Sequence, residues 1–96
     1  MRGRTARYRS KLRIIADILT VINEEGGAAG PTRILYGANL SHERMMRYLA
    51  EMEEKGLVRR VEVGNRTLYE ITDRGRKLLR EVRKMEEFLR AFGLGI

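Results

Sequence analysis

The sequence predicts a mainly α-helical domain with one small β-hairpin, and three observations predict it. Residues 31–71 read as a short helix, a tight turn, a second helix and two strands. Gly64-Asn65 separates two runs rich in β-branched and aromatic residues, the pattern of a two-residue hairpin. The last stretch carries Leu78, Val82, Met85, Leu89 and Phe92 at spacings of 4, 3, 4 and 3, a heptad seam on a long helix.

A first helix is expected from about Lys11 to Glu25, capped by Ser10 and ended by Gly26-Gly27. Leu12, Ile15, Leu19 and Ile22 mark one face; Ile14, Ile18 and Val21 mark a second stripe about 100° away. Two apolar faces on one helix imply cover from two sides. Gly26 to Gly30 reads as a flexible link, and no Lys-Ser or Lys-Thr follows to make it a phosphate loop. Pro31 and Thr32 open a second helix through about Ala38, with Ile34 and Leu35 as core contacts. Gly37 weakens that helix by about 1 kcal/mol relative to Ala.

The turn Ala38-Asn39-Leu40 leads to Ser41, a favoured N-cap for a third helix over about His42 to Lys55. Met45, Tyr48, Leu49 and Met52 form its core face, and Arg44 and Arg47 lie on its outer side in the first two turns. Strands follow over Leu57–Val63 and Thr67–Ile71, with Tyr69 and Ile71 as the inward pair. Thr72 caps a fourth helix from about Asp73 to Phe92, roughly 30 Å long at 1.5 Å per residue. The chain thus divides into a basic arm at 1–9, a winged helix-turn-helix domain at 10–72 and a C-terminal helix at 73–96. The seam on that last helix either pairs with a second copy, folds back on the Ile14/Ile18/Val21 stripe, or does both along its length.

Charge is distributed unevenly. The net charge is +7, yet the first eleven residues hold Arg2, Arg4, Arg7, Arg9 and Lys11 and no acid. The other 85 residues carry 15 basic and 13 acidic groups. A concentrated cationic arm suits a polyanion whose condensed counterions it displaces. Other chemistry lacks its residues. Cysteine is absent and His42 is the only histidine, so a zinc site has too few ligands and no nucleophile–base set can be assembled. Glu53-Glu54 and Glu86-Glu87 are neighbours in sequence, diverge on a helix and read as solvated faces. No enzyme, cofactor or metal is expected. No apolar run reaches membrane-spanning length and no signal peptide opens the chain, so a cytoplasmic, nucleoid-associated location is expected.

The expected function is double-stranded DNA binding as a homodimer. Ser41, His42, Arg44 and Arg47 would meet the major groove, where Arg is the commonest partner of guanine. Thr32 and Arg33 would hold phosphates, Asn65 and Arg66 would reach flanking backbone or minor groove, and Arg2, Arg4, Arg7 and Arg9 would add a sequence-blind attraction. The alternative is a winged helix that docks proteins, using the exposed Met46 and the stripe on the first helix. RNA binding lacks an aromatic stacking platform, since the chain has only six Phe and Tyr residues.

The segments TRILYGANLSHERMMRYLAEMEEKGLV and YEITDRGRKLL give the chain a resemblance to the archaeal winged-helix DNA-binding proteins of about ten kilodaltons. These are chromatin-associated or regulatory proteins. The similarity runs from about Ser10 to Phe92. It implies a recognition role for the third helix, a wing tip at Gly64-Asn65-Arg66, and an antiparallel coiled-coil dimer through Leu78, Val82, Met85, Leu89 and Phe92. Two positions depart from the pattern: His42 stands where an aromatic is expected, and Gly37 where a larger, often basic, residue is common.

Overall fold

The computed structural model describes residues 9–95. Four helices and a three-stranded antiparallel sheet follow in the order α1 (Lys11–Glu24), β1 (Ala28–Ala29), α2 (Pro31–Gly37), α3 (His42–Glu54), β2 (Val58–Val63), β3 (Arg66–Ile71) and α4 (Asp73–Ala91). In the sheet β3 is central, flanked by β1 and β2. The expected link at 26–30 is therefore partly a strand. Ala28 and Ala29 pair with Glu70 and Tyr69, because β3 offers them an open edge, not because two alanines favour extended backbone.

Side-chain caps start three of the four helices. Ser10 accepts a hydrogen bond from the Arg13 amide, Ser41 from that of Arg44, and Thr72 from that of Gly75. All four helices end alike. A residue with positive φ follows the last turn: Gly26, Asn39, Gly56 or Gly93. The next N–H then bonds back five residues, as Leu40 does to the Leu35 carbonyl at 3.0 Å and Leu57 to that of Met52 at 2.8 Å. Asn39 is the one non-glycine among them, and its short amide side chain tolerates that backbone. It sits in the helix-turn-helix corner. The hairpin turn has positive φ at Gly64 and not at Asn65, which matches a type II′ turn.

The core is built round α1. Ile14, Ile15, Ile18, Leu19, Val21 and Ile22 are all buried, so both stripes are covered. Ile34, Met45, Leu49, Met52, Tyr69 and Ile71 close one side and Leu79 and Val82 of α4 close another. Leu12, expected inward, is exposed at the start of α1. Tyr48 and Leu35 are half-buried against the core.

Two glycines mark close approaches. A Cβ on Gly37 would lie 2.8 Å from a methyl of Val21, so the residue that weakens α2 also lets it lie on α1. A Cβ on Gly75 would lie 2.3 Å from the Leu57 carbonyl oxygen, which fixes the base of α4 against the strand leading into the hairpin.

The heptad seam needs correction. Val82 is only 4% exposed and packs within its own chain, and Leu78 is half-buried there. The reason is a second stripe, Gly75, Leu79, Val82 and Glu86, which follows core spacing and faces α1. Beyond it Met85, Phe88 and Phe92 remain 53%, 63% and 66% exposed, and the two Phe rings stand 5.1 Å apart. At about 100° per residue their strip lies roughly a quarter-turn or more round the helix from the core stripe. Glu86 is not a solvated acid either: it pairs with Arg13 across the α1–α4 contact.

Candidate nucleic-acid interface

On α3 the buried residues are Met45, Leu49 and Met52, which leaves His42, Glu43, Arg44, Met46 and Arg47 exposed along the other face. The Ser41 hydroxyl oxygen accepts from the Arg44 amide at 3.2 Å, while its own proton stays available. Capping thus sets the direction in which the helix start faces solvent.

Charge pairing separates the basic residues into two groups. Arg33 donates to Glu25 at 2.7 Å and Arg59 to Glu70 at 2.8 Å. Lys11 sits 2.6 Å from Glu51. This contact raises the Lys11 pKa and lowers that of Glu51, in each case chiefly through the hydrogen bond between them. Arg44, Arg47 and Arg66, by contrast, form no ion pair among the described residues. These guanidinium groups, like that of Arg60 on β2, have no carboxylate to balance their charge among the described residues.

The structure gathers some of the expected residues and redirects others. Thr32, Arg33 and Arg66 border one open depression of about 580 Å³ between α2 and the wing. Arg66 leans toward α2, so that a Cβ placed on Gly30 would lie 3.9 Å from its Nη2. It does not extend outward from the wing tip with Asn65, which stays exposed. Tyr36, not singled out by sequence patterning, lines the same depression and is 76% exposed. Its signal was available: positions 32, 33 and 36 share a helix face.

Arg9 is also corrected. Its Nη1 donates to Asp17 at 2.9 Å and to the Ala38 carbonyl at 2.8 Å, and its Nη2 donates to the Asn39 carbonyl at 2.9 Å. The guanidinium clamps the helix-turn-helix corner and is not free for a phosphate. Arg2, Arg4 and Arg7 lie outside the described residues. Asp17 also faces Arg13, whose Nε is 3.3 Å away, so Arg9, Asp17, Arg13 and Glu86 alternate in sign from the corner to α4.

Among the described residues no helix is long and apolar enough to cross a membrane, and no group of acidic or imidazole side chains could hold a metal ion. A family model described as winged helix-turn-helix matches residues 8–90. The chain belongs to that family. It is 30% identical over 89 residues to protein MJ0287 of Methanocaldococcus jannaschii, covering 92% of this chain and 86% of the relative. Among solved structures it is similar to Sso10a-2, a DNA-binding protein from Sulfolobus solfataricus, with a TM-score of 0.77 and 25% identity. That match covers 88% of this chain and 85% of the other. It is also similar to the transcriptional regulator BldR from Sulfolobus solfataricus, with a TM-score of 0.67 and 25% identity over 80% of this chain and 60% of that one. This winged helix-turn-helix chain thus has the archaeal likeness that its residues suggested.

Proposed function

We propose that this winged helix-turn-helix protein binds double-stranded DNA as a homodimer, with α3 entering the major groove. The observation that carries the reading is the pair Arg44 and Arg47, exposed and without ion-pair partners in the first two turns of α3. A guanidinium left in water costs no desolvation in the free protein and gains bidentate bonds at guanine. Ser41 and His42 stand beside them. Thr32, Arg33 and Arg66 supply backbone contacts, Asn65 reaches out from the wing tip, and Arg2, Arg4 and Arg7 supply sequence-blind attraction. The DNA-binding description of Sso10a-2 supports the same reading.

Pairing uses the exposed strip of α4. Met85, Phe88, Leu89 and Phe92 from two antiparallel helices would bury one another, with Leu78 at the far end of each. A single chain leaves the side chains of Met85, Phe88 and Phe92 in water, which an isologous contact would remove.

The test is duplex binding by fluorescence anisotropy across a salt series. Each phosphate neutralised contributes about 0.9 to the slope of log K against log salt. Deleting residues 2–8, which carry three arginines, should flatten the slope by about 3 per protomer if all three meet phosphates. Arg47→Ala should weaken a selected site more than random DNA, by about 1–3 kcal/mol. Absence of duplex binding at low salt and micromolar protein refutes the proposal.

A further inference from the structure

The depression between α2 and the wing is lined by other side chains besides its two arginines, Arg33 and Arg66. Its border is Gly30, Pro31, Thr32, Arg33, Tyr36, Arg66 and Thr67, with no carboxylate in the lining. The Thr67 hydroxyl is already committed to Glu62 at 3.1 Å, so it is not a free donor. Glu25 holds Arg33 through Nε alone, which leaves the two terminal nitrogens of that guanidinium without a carboxylate among the described residues. The donors facing solvent are therefore the Arg33 and Arg66 guanidiniums and the hydroxyls of Thr32 and Tyr36.

Tyr36 decides what such a place is for. A tyrosine 76% exposed on a short helix contributes almost nothing to the core, whose α2 contacts come from Ile34 and Leu35. It presents a ring face to an apolar surface and a hydroxyl to an anionic oxygen, side by side. A sugar–phosphate backbone has that same alternation of apolar deoxyribose and anionic phosphate. The depression is open, not enclosed, so it fits a ridge lying across it better than a small molecule engulfed by it.

We infer that Tyr36, Arg33 and Arg66 form one seat for a continuous stretch of DNA backbone, in which Tyr36 packs on a sugar and donates to its phosphate. This rests on the DNA-binding reading and adds a residue and a contact to it. The seat also explains why Arg66 leans toward α2: wing and α2 hold the same strand, so α3 is pinned in the groove from one side at two points. Backbone contacts of this kind fix register without reading sequence.

The experiment compares wild type, Tyr36→Ala, Arg66→Ala and Arg47→Ala on a selected duplex and on random duplex, with phosphate-ethylation interference on the selected one. Tyr36→Ala is expected to weaken both duplexes by roughly tenfold, the size of one hydrogen bond to a charged acceptor. It should leave the salt slope unchanged, because tyrosine carries no charge, whereas Arg66→Ala lowers the slope by about 1. Interference at the same one or two phosphates should vanish in both variants. Unchanged duplex affinity for Tyr36→Ala, with Arg47→Ala still impaired, overturns the seat and leaves DNA binding standing. Wild type that binds no duplex overturns both. Binding of inorganic phosphate that Tyr36→Ala abolishes while duplex binding persists makes the depression a small-anion site and also overturns the assignment.

Discussion

Gly75→Ala should destabilise the fold even though alanine is the better helix former. The gain from propensity is about 1 kcal/mol. Against it, the added Cβ would sit 2.3 Å from the Leu57 carbonyl oxygen, 3.2 Å from its carbon and 3.0 Å from Ile71 Cγ1. An ordinary carbon–oxygen contact is about 3.4 Å, so the base of α4 must retreat by about 1 Å. That retreat pulls on three bonds: the Gly75 amide to Thr72 Oγ1 at 3.0 Å, the Thr72 hydroxyl to the Gly56 carbonyl at 2.6 Å, and the Thr72 amide to the Leu57 carbonyl at 3.2 Å. Overpacking costs about 1–3 kcal/mol and a damaged N-cap about 1 kcal/mol. The net loss is about 1–3 kcal/mol, or roughly 5–20 °C in melting temperature for a domain of this size. Urea unfolding followed by circular dichroism measures it, at several protein concentrations so that any pairing is held in view. Gly37→Ala should also cost stability, since its Cβ would meet the buried Val21 methyls at 2.8 and 3.0 Å as well as the movable Arg33 head, whereas Gly95→Ala should be neutral, with nothing within 4 Å. Equal or greater stability of Gly75→Ala than wild type refutes the reasoning.

Other outcomes follow from the same contacts. Val82→Ala should cost about 2 kcal/mol at every protein concentration, because Val82 is buried in its own chain. Phe88→Lys should leave monomer unfolding nearly unchanged yet abolish self-association in light scattering; association that survives it sinks the strip as the pairing surface. Asp17→Ala should cost about 1–2 kcal/mol and speed amide exchange at Asn39 and Leu40, since it releases Arg9 from one of its three partners and strips Arg13 of a countercharge. Glu51, held below its ordinary value by Lys11, stabilises the fold above the carboxylate range and ceases to do so as pH falls through its folded-state value. Lys11, raised by the same contact, contributes below the ordinary lysine range and stops contributing as pH rises through its own folded-state value. Stability curves of wild type and Glu51→Gln should therefore separate near neutrality and converge in acid; curves that stay parallel into acid refute the pairing.

Local signals were the legible part. Ser10, Ser41 and Thr72 announce helix starts by chemistry that needs no distant partner, and the doubled stripe on α1 correctly demanded cover on two sides. Elements defined by a partner were not legible. Ala28 and Ala29 form a strand only because β3 lies beside them. The seam through Val82 and the core stripe through Leu79 and Val82 share a residue, and spacing alone does not say which neighbour it meets. Arg9 and Glu86 look like solvated charges until folding brings Asp17 and Arg13 to them. At the candidate interface, the exposure of Arg44 and Arg47 was readable from helix spacing. The lean of Arg66 and the company of Tyr36 depend on how the wing returns alongside α2, which no local window contains.

The clamp made by Arg9 has a further consequence for the eight residues before it. Their origin is fixed at the Ala38-Asn39 corner, one residue short of the Leu40-Ser41 entry to α3. A chain of eight residues spans at most about 29 Å, the rise of roughly eight base pairs. If α3 enters DNA as proposed, that short leash would keep Arg2, Arg4 and Arg7 at high local concentration near the same duplex. Cutting the leash at its root, by replacing Arg9, would change where the positive charge can go without removing any of the other three arginines.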